Sequence, residues 1–214
     1  MELDKRLQKI VDLRLANQNP DRPGHAMLAN RPNKHNPHQL TKNLRTVNAF
    51  NFEKQMDRLD QVNLGPRVSD AVKYISETEY EISDIPAAGE VCSCLHQTYE
   101  EFSKNLVDAL LAKCFFMKSK KDKDRRGETW KMTESSKRSS MNLLFELFYI
   151  GVVTDFSCFP RILMNLSYKP DSEHEDSENT HLALIESFAT QAKYFIIRGE
   201  PGDHLKEVKN LVII

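Results

Sequence analysis

The sequence predicts an all-α protein built from stacked antiparallel helical hairpins, an α-solenoid, and three observations support that prediction. Apolar residues recur every three or four positions through most of the chain. Only 7 of the 214 residues are glycine, and no segment shows a convincing strand pattern. Most of the predicted helices are joined by short turns, which makes neighbouring helices antiparallel. A compact helical bundle fits the same observations, because no repeat of fixed period is visible.

The first part of the chain combines an amphipathic helix with a proline-rich segment. Leucine, isoleucine and valine lie at helical spacing over residues 3–15. Residues 20–38 contain four prolines and many Asn and His side chains, so we expect them to form a linker. The chain is therefore divided into an N-terminal helix plus linker, residues 1–38, and a helical domain, residues 39–214.

Four helices are predicted between this segment and residue 118. The apolar positions of the first are Leu40, Leu44, Val47, Phe50 and Met56. Pro66 could start the second. The third is expected to start at residues 83–86, where a side-chain oxygen can cap free amides and a proline is tolerated in the first turn. Near Glu100 the apolar pattern changes phase, which separates the third helix from the fourth.

The second half of the chain alternates polar loops with helices. Residues 118–138 and 168–179 are predicted to be loops, and the apolar stretch between them forms two helices split at residues 151–155. Two further helices are expected over residues 181–197 and 204–214. The last of these is apolar at its end without a stop signal, which predicts that the domain is truncated at the C-terminus.

Composition and charge limit the class of protein. Lys and Arg number 30 against 31 Asp and Glu, so any electrostatic partner must bind a local patch. Charges near the N-terminus argue against a signal peptide. The longest apolar run is interrupted by carboxylates, which argues against a membrane-spanning helix. The cysteines fall in helical patterns, which predicts reduced, buried thiols in a cytosolic or nuclear protein. They are Cys92, Cys94, Cys114 and Cys158.

The apolar stretch over residues 143–163 contains two residues that need a reason, Glu146 and Gly151. On a helix, Glu146 falls at the border of the apolar face, from which it must reach water or a cation. Arg138, about two turns earlier, is one candidate. Gly151 costs about 1 kcal/mol relative to alanine inside a helix, so it is expected either to allow close helix approach or to end the helix.

Residues 92–96 contain cysteine and histidine, the residue types of a metal or nucleophile site. Cys92 and His96 share a helix face, but Cys94 does not, and a closed zinc site needs four ligands. A Cys92–His96 nucleophile pair would lack an orienting third group. We therefore interpret His96 as a structural residue. With no phosphate-binding glycine loop in the sequence, we predict that the protein is not an enzyme and uses no metal or cofactor.

The charged segment over residues 118–138 is the candidate binding site. Its nine basic and four acidic residues leave about five net positive charges, with one tryptophan among them. Such a cluster can hold RNA phosphates while a base stacks on the indole, or it can bind an acidic partner. A solvated loop explains the same composition. The candidate residues are Lys118, Lys120, Lys121, Lys123, Arg125, Arg126 and Trp130.

Four stretches resemble motifs of a known family, in the same order along the chain. TKNLRTVNAF, ending at Phe50, is similar to "LDSxLKxNTAF", and residues 81–84 are similar to "KISD". CSCLHQTY, residues 92–99, is similar to "CSLFHQRY", and residues 146–155 are similar to "ELxxVGxxTD". These are motifs of the up-frameshift two family of nonsense-mediated mRNA decay scaffolds. The resemblance covers about residues 38–200 and matches the first of three domains of the type found in the middle of initiation factor 4G.

The resemblance implies a HEAT-like stack of helices and a scaffold or adaptor role in mRNA surveillance. It implies partners among decay factors, the up-frameshift helicase and the third up-frameshift protein, which are bound through other parts of the full-length chain. A cytoplasmic location, including the perinuclear region, goes with that role. An RNA-binding module, or a related scaffold in translation initiation or splicing, stays open as an alternative.

Overall fold

The regular structure of the protein is helical. The computed structural model describes residues 2–115, 134–155, 157–167, 185–186 and 189–190, and among these no strand occurs. The helices are α1 (Glu2–Gln18), α2 (His25–Ala29), α3 (Pro37–Asn43), α4 (Phe52–Leu59), α5 (Val68–Glu77), α6 (Ile85–Thr98), α7 (Glu100–Phe115), α8 (Glu134–Tyr149) and α9 (Cys158–Ser167). Single 3-10 turns occupy Leu44–Thr46 and Gly65–Arg67. The predicted all-α class is confirmed.

Helices α6 and α7 lie at the centre of the domain. α6 packs against α1, α4, α7 and α8, and α7 packs against α5, α8 and α9. Their apolar faces supply much of one continuous core, to which α8 adds the apolar side chains of residues 141–148. Each fully buried leucine or phenylalanine contributes about 1.5–3 kcal/mol. The largest side chains without solvent contact include Phe102, Leu106, Leu144 and Phe159.

The predicted break near Glu100 is confirmed. A single residue, Tyr99, separates α6 from α7, and its backbone is extended, with φ −126° and ψ 115°. The phenol oxygen of Tyr99 accepts a hydrogen bond from the amide of Leu64 at 2.7 Å. The turn between the two central helices is thereby fixed to the chain that leads into α5.

The predicted helix through Leu40 and Met56 is wrong as a single element, because it breaks at residues 47–51. Asn48 and Asn51 cause the break by bonding to nearby backbone in place of helical partners. Oδ1 of Asn48 accepts from the amide of Phe50 at 3.0 Å, and Nδ2 of Asn51 donates to the Thr46 carbonyl at 2.6 Å. Phe50, expected to be buried, is 99% exposed as a result.

The helix starts marked by proline are confirmed in position. The 3-10 turn Gly65–Arg67 leads directly into α5, and α6 begins at Ile85. Asp84 precedes α6 without a side-chain capping bond, so the expected cap is wrong. Its Oδ1 instead accepts from the Ala49 amide at 3.1 Å, which ties the start of α6 to the break before α4.

The predicted split at residues 151–155 is confirmed, since α8 ends at Tyr149 and α9 begins at Cys158. The predicted loop 118–138 is wrong at its end, because α8 already includes residues 134–138. Serines near the start of α8 are buried: Ser136 Oγ accepts from Nζ of Lys113 in α7 at 3.4 Å, and Ser139 Oγ accepts from the amide of Tyr80, between α5 and α6, at 2.8 Å. Because these hydroxyls pack inside the domain, α8 begins earlier in the sequence than the charge pattern predicted.

The proline-rich segment lies against the end of α4. It contains α2, and Arg31 Nη1 donates to the carbonyls of Leu59 at 2.7 Å and Val62 at 3.1 Å. Asn33 Oδ1 accepts from the amide of Asn63 at 3.0 Å. The division of the chain at residue 38 stays a prediction.

Some predicted elements lie outside the described residues. The loop 168–179 and the last helix, 204–214, are wholly outside, and of the helix 181–197 only residues 185–186 and 189–190 are described. Across the described helices, none is both long and apolar enough to cross a bilayer.

Candidate functional site

The three residues singled out in the sequence, Glu146, Gly151 and His96, lie where α1 crosses α6 and α8. Each of them contacts a different residue of α1. We call this set of contacts the α1 interface. It gathers buried polar groups of three helices into one place.

Glu146 lies within α8 and is 7% exposed, and the prediction that it reaches water or a cation is confirmed by its ion pair with Arg6. α6 comes close here because Gly89 has no side chain: a Cβ would lie 2.7 Å from Cγ of Glu146. Oε2 of Glu146 lies 3.7 Å from Nη2 of Arg6, whereas the sequence suggested Arg138 as the cation. Burial raises the pKa of Glu146, Arg6 opposes the shift, and Glu90 adds to it.

Gly151 ends α8 in the left-handed conformation, with φ 77°. The amides of Val152 and Val153 both donate to the carbonyl of Leu147, at 2.9 and 3.1 Å. A Cβ at Gly151 would lie 2.9 Å from Cγ of Arg14 and 3.3 Å from its Cα. Gly151 therefore both ends the helix and admits α1, the two roles that the sequence offered as alternatives.

The last carbonyls of α8 find their hydrogen-bond donors in α1. Arg14 Nη1 donates to the carbonyls of Phe148 and Tyr149, both at 3.3 Å, and Asn17 Nδ2 donates to that of Ile150 at 2.7 Å. A helix leaves its final carbonyls without intrahelical partners, and a cation is favourable at its negative end. α1 thus caps α8 across the interface.

His96 is joined to the same part of α1. Nε2 lies 3.1 Å from the Asn17 carbonyl and Nδ1 lies 3.0 Å from Oγ of Ser103. A carbonyl only accepts, so Nε2 carries a proton, and the neutral ring accepts from Ser103 at Nδ1. Oδ1 of Asn17 accepts from Ser93 at 2.8 Å and from Gln97 at 2.9 Å. Burial lowers the pKa of His96, and the bond to Asn17 opposes that shift.

The cysteines behave as packing residues. All four are free thiols; Cys94 is half-buried and the others are buried. Burial raises the pKa of Cys92, and it raises that of Cys94 to about 11 and that of Cys114 to about 12. The expectation of reduced thiols in helices is confirmed. In the part of the chain that the structure describes, no group of three or more His, Cys, Asp or Glu side chains is placed to hold a metal ion.

The predicted basic binding site lies outside the described residues, which omit 116–133. The residues concerned are Lys118, Lys120, Lys121, Lys123, Arg125, Arg126 and Trp130. Of the same charged run, Lys137 and Arg138 are half-buried in α8.

Sequence reasoning missed the α1 residues of the interface, Arg6, Lys9, Arg14 and Asn17. At about 100° per residue these four positions fall within about 140° of arc, so they share one face of α1. That pattern was visible in the sequence. What was not visible is which distant segment the face would meet, because helical periodicity relates only residues of the same helix.

The amino-acid sequence of the chain is similar to those of regulators of nonsense transcripts. It is 37% identical over 212 residues to the regulator of nonsense transcripts UPF2 of Arabidopsis thaliana, across 96% of the chain. It is 27% identical over 195 residues to regulator of nonsense transcripts 2 of Mus musculus, across 86% of the chain. The chain spans only 17% and 14% of these two relatives. No protein-family model matches.

The fold comparison agrees with the sequence comparison. The chain resembles the crystal structure of the first MIF4G domain of human nonsense mediated decay factor UPF2, with a TM-score of 0.69 and 22% identity. The match covers 94% of this chain and 68% of that one. The described helices therefore form a helical solenoid of the MIF4G type.

Proposed function

The chain is related to the UPF2 regulators of nonsense transcripts over nearly all of its length, and we infer that it contributes to nonsense-mediated mRNA decay. The observation that carries this inference is the 37% identity to the Arabidopsis protein across 96% of the chain. The MIF4G fold supports it independently.

Within that process we propose a scaffold role, exercised through protein contacts and without catalysis. The packing supports it: a continuous core holds the helices at fixed positions, so side chains on several helices can be presented to a partner together. The groups that could have served chemistry have structural tasks instead. His96 uses both ring nitrogens to hold α1 and α7, and Cys92 is fully buried with a raised pKa.

The proposed partners are other factors of nonsense-mediated decay. Following the resemblance, these include the up-frameshift helicase and the third up-frameshift protein, bound through the full-length protein, in the cytoplasm. The similarity in sequence and fold to UPF2 supports this assignment.

The test is affinity purification of the tagged full-length protein, with and without ribonuclease, followed by quantitative mass spectrometry. We expect the decay factors to stay enriched after ribonuclease, because the proposed contacts are between proteins. Depletion of the protein should also stabilise a reporter mRNA with a premature stop codon, and the wild-type gene should restore its decay. Enrichment of initiation or splicing factors, with unchanged reporter decay, would refute the proposal and favour the related scaffolds.

RNA binding by the basic segment is the second candidate, favoured by its excess of about five positive charges beside Trp130. Affinity for a fluorescent single-stranded RNA should fall with salt, with a slope of roughly −0.7 per phosphate neutralised. Charge reversal should abolish binding when it is made at Lys120, Lys121, Arg125 and Arg126. Four exposed lysines serve as the matched control, and their reversal should have little effect: Lys42, Lys54, Lys73 and Lys104. Equal affinities of the two variants would exclude the segment as the RNA site.

A further inference from the structure

The attachment of α1 to the domain includes ion pairs made by solvent-exposed cations. Besides Arg6 on Glu146, Nζ of Lys9 lies 2.6 Å from Oε1 of Glu90 and 5.2 Å from the ring centre of Phe52. The side chains of Arg6 and Lys9 are 58% and 51% exposed. Ion pairs of such exposed cations are screened by solvent and hold a helix only weakly.

Among the described side chains of α1, no apolar one is fully buried. Ile10 and Leu13 are partly buried against the core, while Leu15 is 64% exposed. Among the described side chains of α1, the one that is fully buried is polar, Asn17 at 3% exposed. Helices held by few buried apolar contacts open at a lower cost than global unfolding.

The surface beneath α1 is selective for positive charge. It presents the carboxylates of Glu90 and Glu146 and the three carbonyls of Phe148, Tyr149 and Ile150 at the negative end of α8. These five groups accept hydrogen bonds, and beside them Ser93, His96 and Gln97 donate to the amide and backbone carbonyl of Asn17. The Phe148 carbonyl also accepts from the amide of Gly151, whereas the carbonyls of Tyr149 and Ile150 accept from side chains of α1. An occupant with cations and an amide that can both donate and accept therefore satisfies this surface.

We propose that this surface is an exchangeable docking groove: α1 occupies it within the chain, and a basic helix of a partner protein occupies it in trans. The partner helix would carry Arg or Lys at the positions equivalent to Arg6, Lys9 and Arg14 and an amide equivalent to Asn17. Complementary charge supports this occupant, because the groove carries the carboxylates of Glu90 and Glu146. The contacts depend on the spacing of side chains along one helical face. A helix of another protein with the same spacing can make them without being connected to α2. The residues between α1 and α2 are few, which gives α1 a high effective concentration and makes it the competitor that a partner must displace.

The proposal is tested on the whole chain with a protease recognition sequence inserted between Asn19 and Pro20, which follow α1. The chain is folded intact and then cleaved, so that folding does not depend on the cut. The probe is a fluorescent peptide of residues 2–18, and its binding is followed by anisotropy before and after cleavage. We expect binding at least about 10-fold tighter after cleavage, because the competing α1 can leave. Circular dichroism before and after the cut checks that the remaining helices stay folded.

A second peptide tests the chemistry of recognition. It keeps only the Arg, Lys, Arg and Asn side chains at their spacing on an alanine and glutamine helix, and its control has the same composition at altered spacing. We expect the first to bind and the control to bind at least about 10-fold more weakly, with a further loss on Glu90→Gln plus Glu146→Gln. If the cleaved chain retains its α1 and binds neither peptide, the groove is not exchangeable. If both host peptides bind equally, the groove does not recognise this spacing, and the proposal fails.

Discussion

Gly151→Ala tests whether the end of α8 and the packing of α1 both depend on the absence of a Cβ at Gly151. Gly151 has φ 77°, and adopting this conformation with a side chain costs about 1–2 kcal/mol. The new methyl would also lie 2.9 Å from Cγ of Arg14 and 3.3 Å from the backbone Cα and carbonyl oxygen of the same residue. Since backbone atoms cannot turn away as a side chain can, α1 must shift and its bonds to the carbonyls of α8 must lengthen. We expect a total loss of about 2–4 kcal/mol in the free energy of unfolding.

The assay is urea denaturation followed by circular dichroism, together with hydrogen exchange of the α1 amides. Gly24→Ala is the matched control, because Gly24 has φ −62° and its Cβ would meet nothing within 4 Å. It should change stability by less than about 0.5 kcal/mol. Adding Arg14→Ala to Gly151→Ala separates the two contributions, since it removes the Cγ contact and leaves the backbone conformation. Equal stabilities for Gly151→Ala and Gly24→Ala, or unchanged protection of α1, would refute the reasoning.

Three other predictions concern the same domain. Glu146→Gln should raise the free energy of unfolding at pH 7 by on the order of 1 kcal/mol, because burial raises the pKa of Glu146 and penalises its charged form. The wild type should lose stability as pH rises above about 4.3 and through the raised pKa. Thermal melts at several pH values should therefore show a flatter dependence of stability on pH for the variant. The wild type should also lose stability as pH falls below about 6.5, because burial lowers the pKa of His96, and His96→Gln should remove this loss. A variant that still loses stability below about pH 6.5 would show that another group causes it. Phe50→Ser should leave the urea midpoint nearly unchanged, since Phe50 is 99% exposed, whereas Phe102→Ala should cost about 3–5 kcal/mol; a large loss at Phe50 would mean that it is buried in solution.

The sequence predicted helices best where local rules decide. Pro66 and Pro86 mark the starts of the segments that become α5 and α6, and the break before Glu100 follows from the change in apolar phase. The break at residues 47–51 was missed because apolar spacing continues through it. The competing signal was Asn48 and Asn51, whose side chains can replace helical hydrogen bonds.

The polar face of the domain was predicted only in part. The sequence identified Glu146 and Gly151 as residues in need of a reason, and the reason for each lies in α1. A carboxylate at the edge of an apolar stripe can be buried if another helix supplies the cation, and periodicity within α8 contains no information about α1. Gly89 illustrates the same gap: nothing in α6 alone indicates that Glu146 needs its space.

The cap that α1 places on α8 has a consequence for synthesis. Arg14 and Asn17 leave the ribosome long before the carbonyls of residues 148–150 that they bind. Contacts between segments so far apart in the chain form late, because the intervening helices must be in place before the ends can meet. During translation α1 is therefore synthesised before the surface on which it packs, and when the end of α8 is synthesised the residues that cap it are already present. The joining of these two segments is therefore a late step in the folding of the described helices.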